Sequence, residues 1–110
     1  MTTTAPTRIE SLKKFLMDNP NDSFSRYALA LEYNSMGDAQ LAIATLLELI
    51  KRDPKYIPAY HQLGKVYSKQ NQTQDAKAIY RRGIEAAAAA DDLHEKQEMN
   101  EELEELEDEW

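Results

Sequence analysis

The sequence predicts an all-α fold, a right-handed solenoid of helical hairpins with about six helices, and two observations predict it. Pro20 and Pro54 stand 34 residues apart at matching points, after Met17-Asp-Asn and Lys51-Arg-Asp, and a fixed period of that length marks stacked repeats. Laying residues 23–56 over 57–90 then sets Leu29 on Leu63, Ala30 on Gly64, Tyr33 on Tyr67, Ala42 on Ala76 and Leu46 on Tyr80. Small residues and large apolar ones recur in register, as they must where one helix approaches another closely.

The elements follow in chain order. Residues 1–7, Met-Thr-Thr-Thr-Ala-Pro-Thr, read as a disordered N-terminus and lack the basic start and apolar run of a secretory signal. Residues 8–18 place Ile9, Leu12, Phe15 and Leu16 on one helical face and end at Pro20, so residues 8–20 form a half-repeat in the phase of a second helix. Repeat one, 23–56, divides into helices over 23–36 and 39–52; repeat two, 57–90, into helices over 57–70 and 73–89. Between the helices of each repeat stand Gly37-Asp38 and Asn71-Gln72, where a left-handed residue is required and Gly and Asn tolerate it best. Asn19-Pro20 and Asp53-Pro54 end second helices, because the residue before proline is pushed out of the helical region. Asp22 or Ser23, and Asn71 or Thr73, are placed to cap the helices that follow.

The last segment, 91–110, is acidic and helical. Glu85 to Ala90 favours helix, and Asp92-Leu-His-Glu95 reads as a cap followed three residues later by Glu, which favours a break near 90–92 and a final helix over 92–108. With no Gly or Pro between 84 and 110, an unbroken helix over 73–108 is the alternative. The final helix carries Leu93, Met99, Leu103, Leu106 and Trp110 beside many Glu. This apolar seam caps the stack within the chain or also pairs with a second copy through Leu103, Leu106 and Trp110.

These residues resemble the tetratricopeptide repeat family. Its signature of Trp, Leu, Gly, Tyr, then Ala, Phe and Pro is matched by Tyr60-x2-Leu63-Gly64-x2-Tyr67 and Ala76-x3-Tyr80, and by Arg26-x2-Leu29-Ala30-x2-Tyr33, Ala42-x3-Leu46 and Pro54. Arg26, Leu46 and Ala88 depart from the pattern, the last at the expected closing proline. The resemblance implies a protein-binding module whose partner lies across the inner face made by the first helix of each repeat. By register that face would present Phe24, Tyr27, Leu31 and Asn34 from the first repeat, and His61, Gln62, Lys65 and Lys69 from the second. An apolar half beside a basic half suits a peptide with an apolar anchor and an acidic end. Family members that hold chaperone C-termini use Lys and Asn where Tyr27 and Leu31 stand here, so chaperone-tail binding of that type is not expected.

Composition narrows the alternatives. Residues 1–90 carry twelve Lys and Arg against nine Asp and Glu, whereas 91–110 carry one Lys against eleven acids, so the formal charge of −7 belongs to the tail. Nucleic acid is not an expected partner, since it needs a basic stripe, and no apolar run is long enough for a membrane span. The absence of cysteine removes disulfides, thiolate ligands and thiol nucleophiles and fits a cytoplasmic protein. The two histidines, His61 and His94, have no ligand set in the sequence beyond Glu95 and Glu98 beside His94, and the scattered serines lack a nucleophile motif. No metal, no cofactor and no catalysis are therefore expected. A monomer is favoured over a homodimer.

Overall fold

The computed structural model describes residues 7–108 and contains six helices among them: α1 (Arg8–Asp18), α2 (Ser23–Ser35), α3 (Ala39–Arg52), α4 (Ile57–Lys69), α5 (Thr73–Ala89) and α6 (Leu93–Glu107). No strand occurs among the described residues. The break between α5 and α6 settles residues 73–108 as two helices. The expected N-terminal disorder falls on residues 1–6, outside the described residues; Thr7 instead caps α1, its side chain accepting the Glu10 N–H at 3.1 Å.

Three turns share one hydrogen-bond pattern. After α2, Asp38 N–H donates to Tyr33 and Gly37 N–H to Asn34; after α4, Gln72 donates to Tyr67 and Asn71 to Ser68; after α5, Asp92 donates to Ala87 and Asp91 to Ala88. The pivot residues Gly37, Asn71 and Asp91 have φ of 84°, 60° and 56°. This is the paired bonding that closes a helix with a left-handed residue. Asp38 and Asp92 then cap the next helix by accepting from Leu41 N–H at 3.1 Å and Glu95 N–H at 3.2 Å, each cap contributing about 1 kcal/mol. Asp22 caps α2 in the same way, at 2.9 Å from Ser25 N. At α5 the cap residue is Gln72 and makes no side-chain cap bond, so neither Asn71 nor Thr73 takes the capping role expected of it.

The other two ends use proline. Asn19 and Asp53 adopt nearly the same backbone (φ −134° and −138°) and donate their N–H groups to Phe15 and Leu49, and the chain leaves at Pro20 and Pro54. Ala88 stands where a third proline would, so α5 runs one turn further before turning.

Each helix packs on its sequence neighbours, α5 as extensively on α6 as on α4, and α6 also touches α4. The main core runs from Ala30 through Leu46, Leu49, Tyr60, Leu63, Ala76 and Tyr80 to Met99, Leu103 and Leu106. A smaller cluster of Leu16, Leu29, Tyr33 and Ala42 seats α1. At Gly83 three helices meet, since a Cβ there would lie 2.6 Å from both the Met99 sulfur and the Tyr60 Cβ. No helix among the described residues is long and apolar enough to cross a membrane.

Candidate functional site

At 100° per residue, Phe24, Ala28, Leu31 and Ser35 form one line along α2, with Tyr27 and Asn34 roughly 60° round from it. Phe24 is 72% exposed and Leu31 37%, while Ala28 is buried and Asn34 half-buried. Tyr27 turns toward the second repeat, its ring 5.5 Å from that of Tyr56. Burial, then the neighbouring Tyr56 and Glu95, raises the Tyr27 phenol above its usual range. On α4 the same positions hold Pro58, Gln62, Lys65 and Lys69 along the line, and His61 and Ser68 beside it. Lys65 and Lys69 are exposed and Gln62 half-buried.

His61 is the residue that departs from expectation. It is 8% exposed and occupies the seam between α4 and α6. Its Nδ1 lies 2.7 Å from Glu95 Oε2 and its Nε2 lies 2.8 Å from Glu102 Oε1. Tyr80 donates its hydroxyl to the other Glu102 oxygen, and its ring meets the imidazole edge-on at 6.3 Å. His61 therefore binds the chain's own last helix and offers little to a ligand in the groove. Burial, reinforced by the hydrogen bond to Glu102, pushes the Tyr80 phenol far up and keeps it a donor. For Glu102, burial alone would raise the carboxyl, but hydrogen bonds from His61 and Tyr80, with the charges of His61 and Lys65, outweigh it and hold the group below its ordinary range.

Glu95 also departs from the reciprocal cap expected of Asp92-x-x-Glu95. The Asp92 N–H that its carboxylate would accept is already given to Ala87 at 2.8 Å, so Glu95 is free to reach His61. The His61–α6 contact was discoverable in the sequence: His61 stands 34 residues after Tyr27, and Tyr27 faces the first helix of the next repeat. Reading α6 as the first helix of an incomplete third repeat would have set His61 against its acids.

The acidic helix lies beside the groove as its end wall. Lys65, Ser68 and Lys69 of α4 share a cleft of about 340 Å³ with Tyr80, Glu102, Glu105 and Leu106. A smaller cavity of about 100 Å³ joins Tyr27, Pro58, His61, Gln62, Lys65 and Glu95, so the faces of α2, α4 and α6 are continuous. The surface thus passes from apolar on α2 to basic on α4 to acidic on α6.

Burial bears on the α6 seam, which the sequence reads as a cap within the chain or, alternatively, as a surface that also pairs with a second copy. Leu103 and Leu106 are 8% and 7% exposed and belong to the main core with Met99, so neither presents a surface to a second copy. Trp110 lies outside the described residues.

The sequence profile of the tetratricopeptide repeat family matches residues 2–88, most of the chain. The chain belongs to the tetratricopeptide repeat family. A repeat-containing protein of Pseudomonas aeruginosa is 30% identical over 91 residues, which span 83% of this chain and 87% of that protein. The solution structure of a tetratricopeptide repeat domain protein from Salinibacter ruber is 36% identical, with a TM-score of 0.76 over 80% of this chain and 89% of that one. A protein from Bordetella parapertussis shares the fold, with a TM-score of 0.78 over 93% of this chain and 89% of its own, at 24% identity. Tetratricopeptide repeats are generally protein–protein interaction modules, and the described residues of this chain form six helices in that fold.

Proposed function

We propose that this tetratricopeptide repeat protein is a non-catalytic, cytoplasmic adaptor that binds a peptide or protein segment across the groove of α2 and α4. The observation that carries the reading is the exposure of Phe24 and Leu31 on α2 and of Lys65 and Lys69 on α4, at the positions that repeat register assigns to one inner face. An apolar stretch on α2 followed by a basic stretch on α4 suits a segment that brings an apolar anchor and a carboxylate. Tyr27, Asn34 and Gln62 would line the floor, and His61 supports the wall from behind. The module is read as a monomer, because Leu103 and Leu106 are committed to its own core.

The test uses charge and shape changes at exposed positions, because deleting residues 101–110 would remove Leu103 and Leu106 from the core. Peptides selected from a display library against the full chain should bind the Phe24→Asp/Lys65→Glu variant at least about tenfold more weakly, a loss of about 1.4 kcal/mol or more. The thermal melt should be unchanged. Equal binding by both proteins removes the groove from consideration.

A further inference from the structure

We propose that His61, Glu95 and Glu98 form a binding site for a divalent transition-metal ion of the zinc class, which fastens α6 to α4. Both ring nitrogens of His61 face carboxylate oxygens. A neutral imidazole has one N–H and one lone pair. Glu102 accepts the Tyr80 hydroxyl with one oxygen and holds the other 2.8 Å from Nε2; in the tautomer with its proton on Nε2, that oxygen accepts it. The Nδ1 lone pair then points at Glu95 Oε2 from 2.7 Å. A second ring proton fits that spacing as it stands, and a metal ion with bonds of about 2.0–2.2 Å takes the proton's place once the two atoms part to about 3.3 Å.

Glu98, one turn after Glu95, supplies the third ligand. The ligand atoms of His61, Glu95 and Glu98 all lie within 4.8 Å of one another. One nitrogen and two carboxylate oxygens, with the far ring N–H held by a further carboxylate, is the donor set and outer support that suits zinc, with a fourth position for water. A nitrogen ligand disfavours calcium and magnesium. The cavity of about 100 Å³ that touches both His61 and Glu95 gives the ion a route from solvent. Lys65 lies on that cavity too, and its charge acts on Glu102. A rival exists on the surface, where His94 and Glu98 pair at 3.0 Å one turn apart on α6.

Calorimetric titration of zinc into the full chain, with cobalt absorption to report coordination, separates these cases. The expected result is saturable uptake of one ion per chain with a rise in melting temperature. Glu95→Gln, whose side-chain amide can donate to the Nδ1 lone pair of His61, should weaken binding about tenfold or more, as should His61→Asn. His94→Gln and the exposed-face change Glu101→Gln should leave it unchanged. Circular dichroism checks that α6 stays docked in each variant; if His61→Asn loosens it, Glu95→Gln decides. The proposal is overturned if the folded chain takes up no zinc saturably, which leaves the proton as the bridging species. It is equally overturned if uptake survives Glu95→Gln or disappears with His94→Gln.

Discussion

The two repeats share a backbone plan and fill it differently. In the first, Ala30 on α2 stands at the register position of Gly64, and Leu46 on α3 at that of Tyr80; all four are buried. In the second, removing the Ala methyl makes room for a phenol ring, since a Cβ on Gly64 would fall 2.2 Å from the Tyr80 ring. Leu49 of the first repeat likewise becomes Gly83, and the vacated space holds Met99 of α6. The larger ring brings a hydroxyl that reaches Glu102 of the same helix. Both exchanges serve one end: the second repeat is altered to receive the terminal helix, while the first is filled by its own side chains.

Copying repeat one into repeat two should therefore fail most severely where α6 enters. Gly83→Leu gives the second repeat the residue of the first and displaces Met99, which is wholly buried. The expected loss is about 3 kcal/mol or more, the upper part of the range for overpacked cores, read by urea unfolding. Retained stability would mean that Met99 can leave the core without cost, and the view of Gly83 as the receiving position for α6 would be abandoned.

A gentler exchange tests the other pair. Gly64→Ala should cost about 1–3 kcal/mol from crowding against Tyr80, partly offset by the helix preference of Ala, which contributes about 1 kcal/mol. Tyr80→Leu alone removes the hydroxyl contact to Glu102 and leaves space beside Gly64. Combined, the two changes recreate the Ala and Leu of repeat one, so the double variant should be more stable than the sum of the singles predicts, by about 1 kcal/mol. Additive losses would show that the two positions do not share one volume.

The periodic part of this chain was legible because the features that set it are local and repeated. The 34-residue spacing of Pro20 and Pro54, the small residues Ala42 and Ala76, and the turn residues Gly37 and Asn71 determine the helices nearly to the residue. Arg26, a departure from the family pattern, even reproduces the role of Tyr60: each donates to the carbonyl of the proline six residues before it. The candidate site was read less well. Phe24, Leu31, Lys65 and Lys69 are exposed as their register implied. His61 and the leucines of α6 are not, because α6 keeps the spacing but not the signature: Gln97, Glu98 and Glu101 stand where Leu63, Gly64 and Tyr67 would recur, so little marks it as a further first helix. Asp91 illustrates the same limit: it takes a left-handed conformation that composition favours in Gly or Asn, and the sequence marked only a break nearby.

The smallest expected effect distinguishes the two seams between first helices. Between α2 and α4, Tyr27 packs against Tyr56; between α4 and α6, His61 and Tyr80 hold the Glu102 carboxylate. Because Glu102 is held below the ordinary carboxylate range in the folded chain, its charge adds stability above the unfolded value near pH 4.3. That contribution disappears as pH falls through the lower folded value. Glu102→Gln keeps an acceptor for Tyr80 and removes the charge, so it should lower stability at pH 7 and flatten the fall in stability between about pH 5 and pH 3. The gap between wild type and variant should accordingly narrow on acidification. Tyr27→Phe, at the other seam, should shift stability by the same amount at every pH in that window, since no carboxylate there is held by the ring hydroxyl. A gap for Glu102→Gln that stays constant from pH 7 to pH 3 would mean that α6 is fastened by its apolar side chains alone, and the two seams would then differ in shape but not in kind.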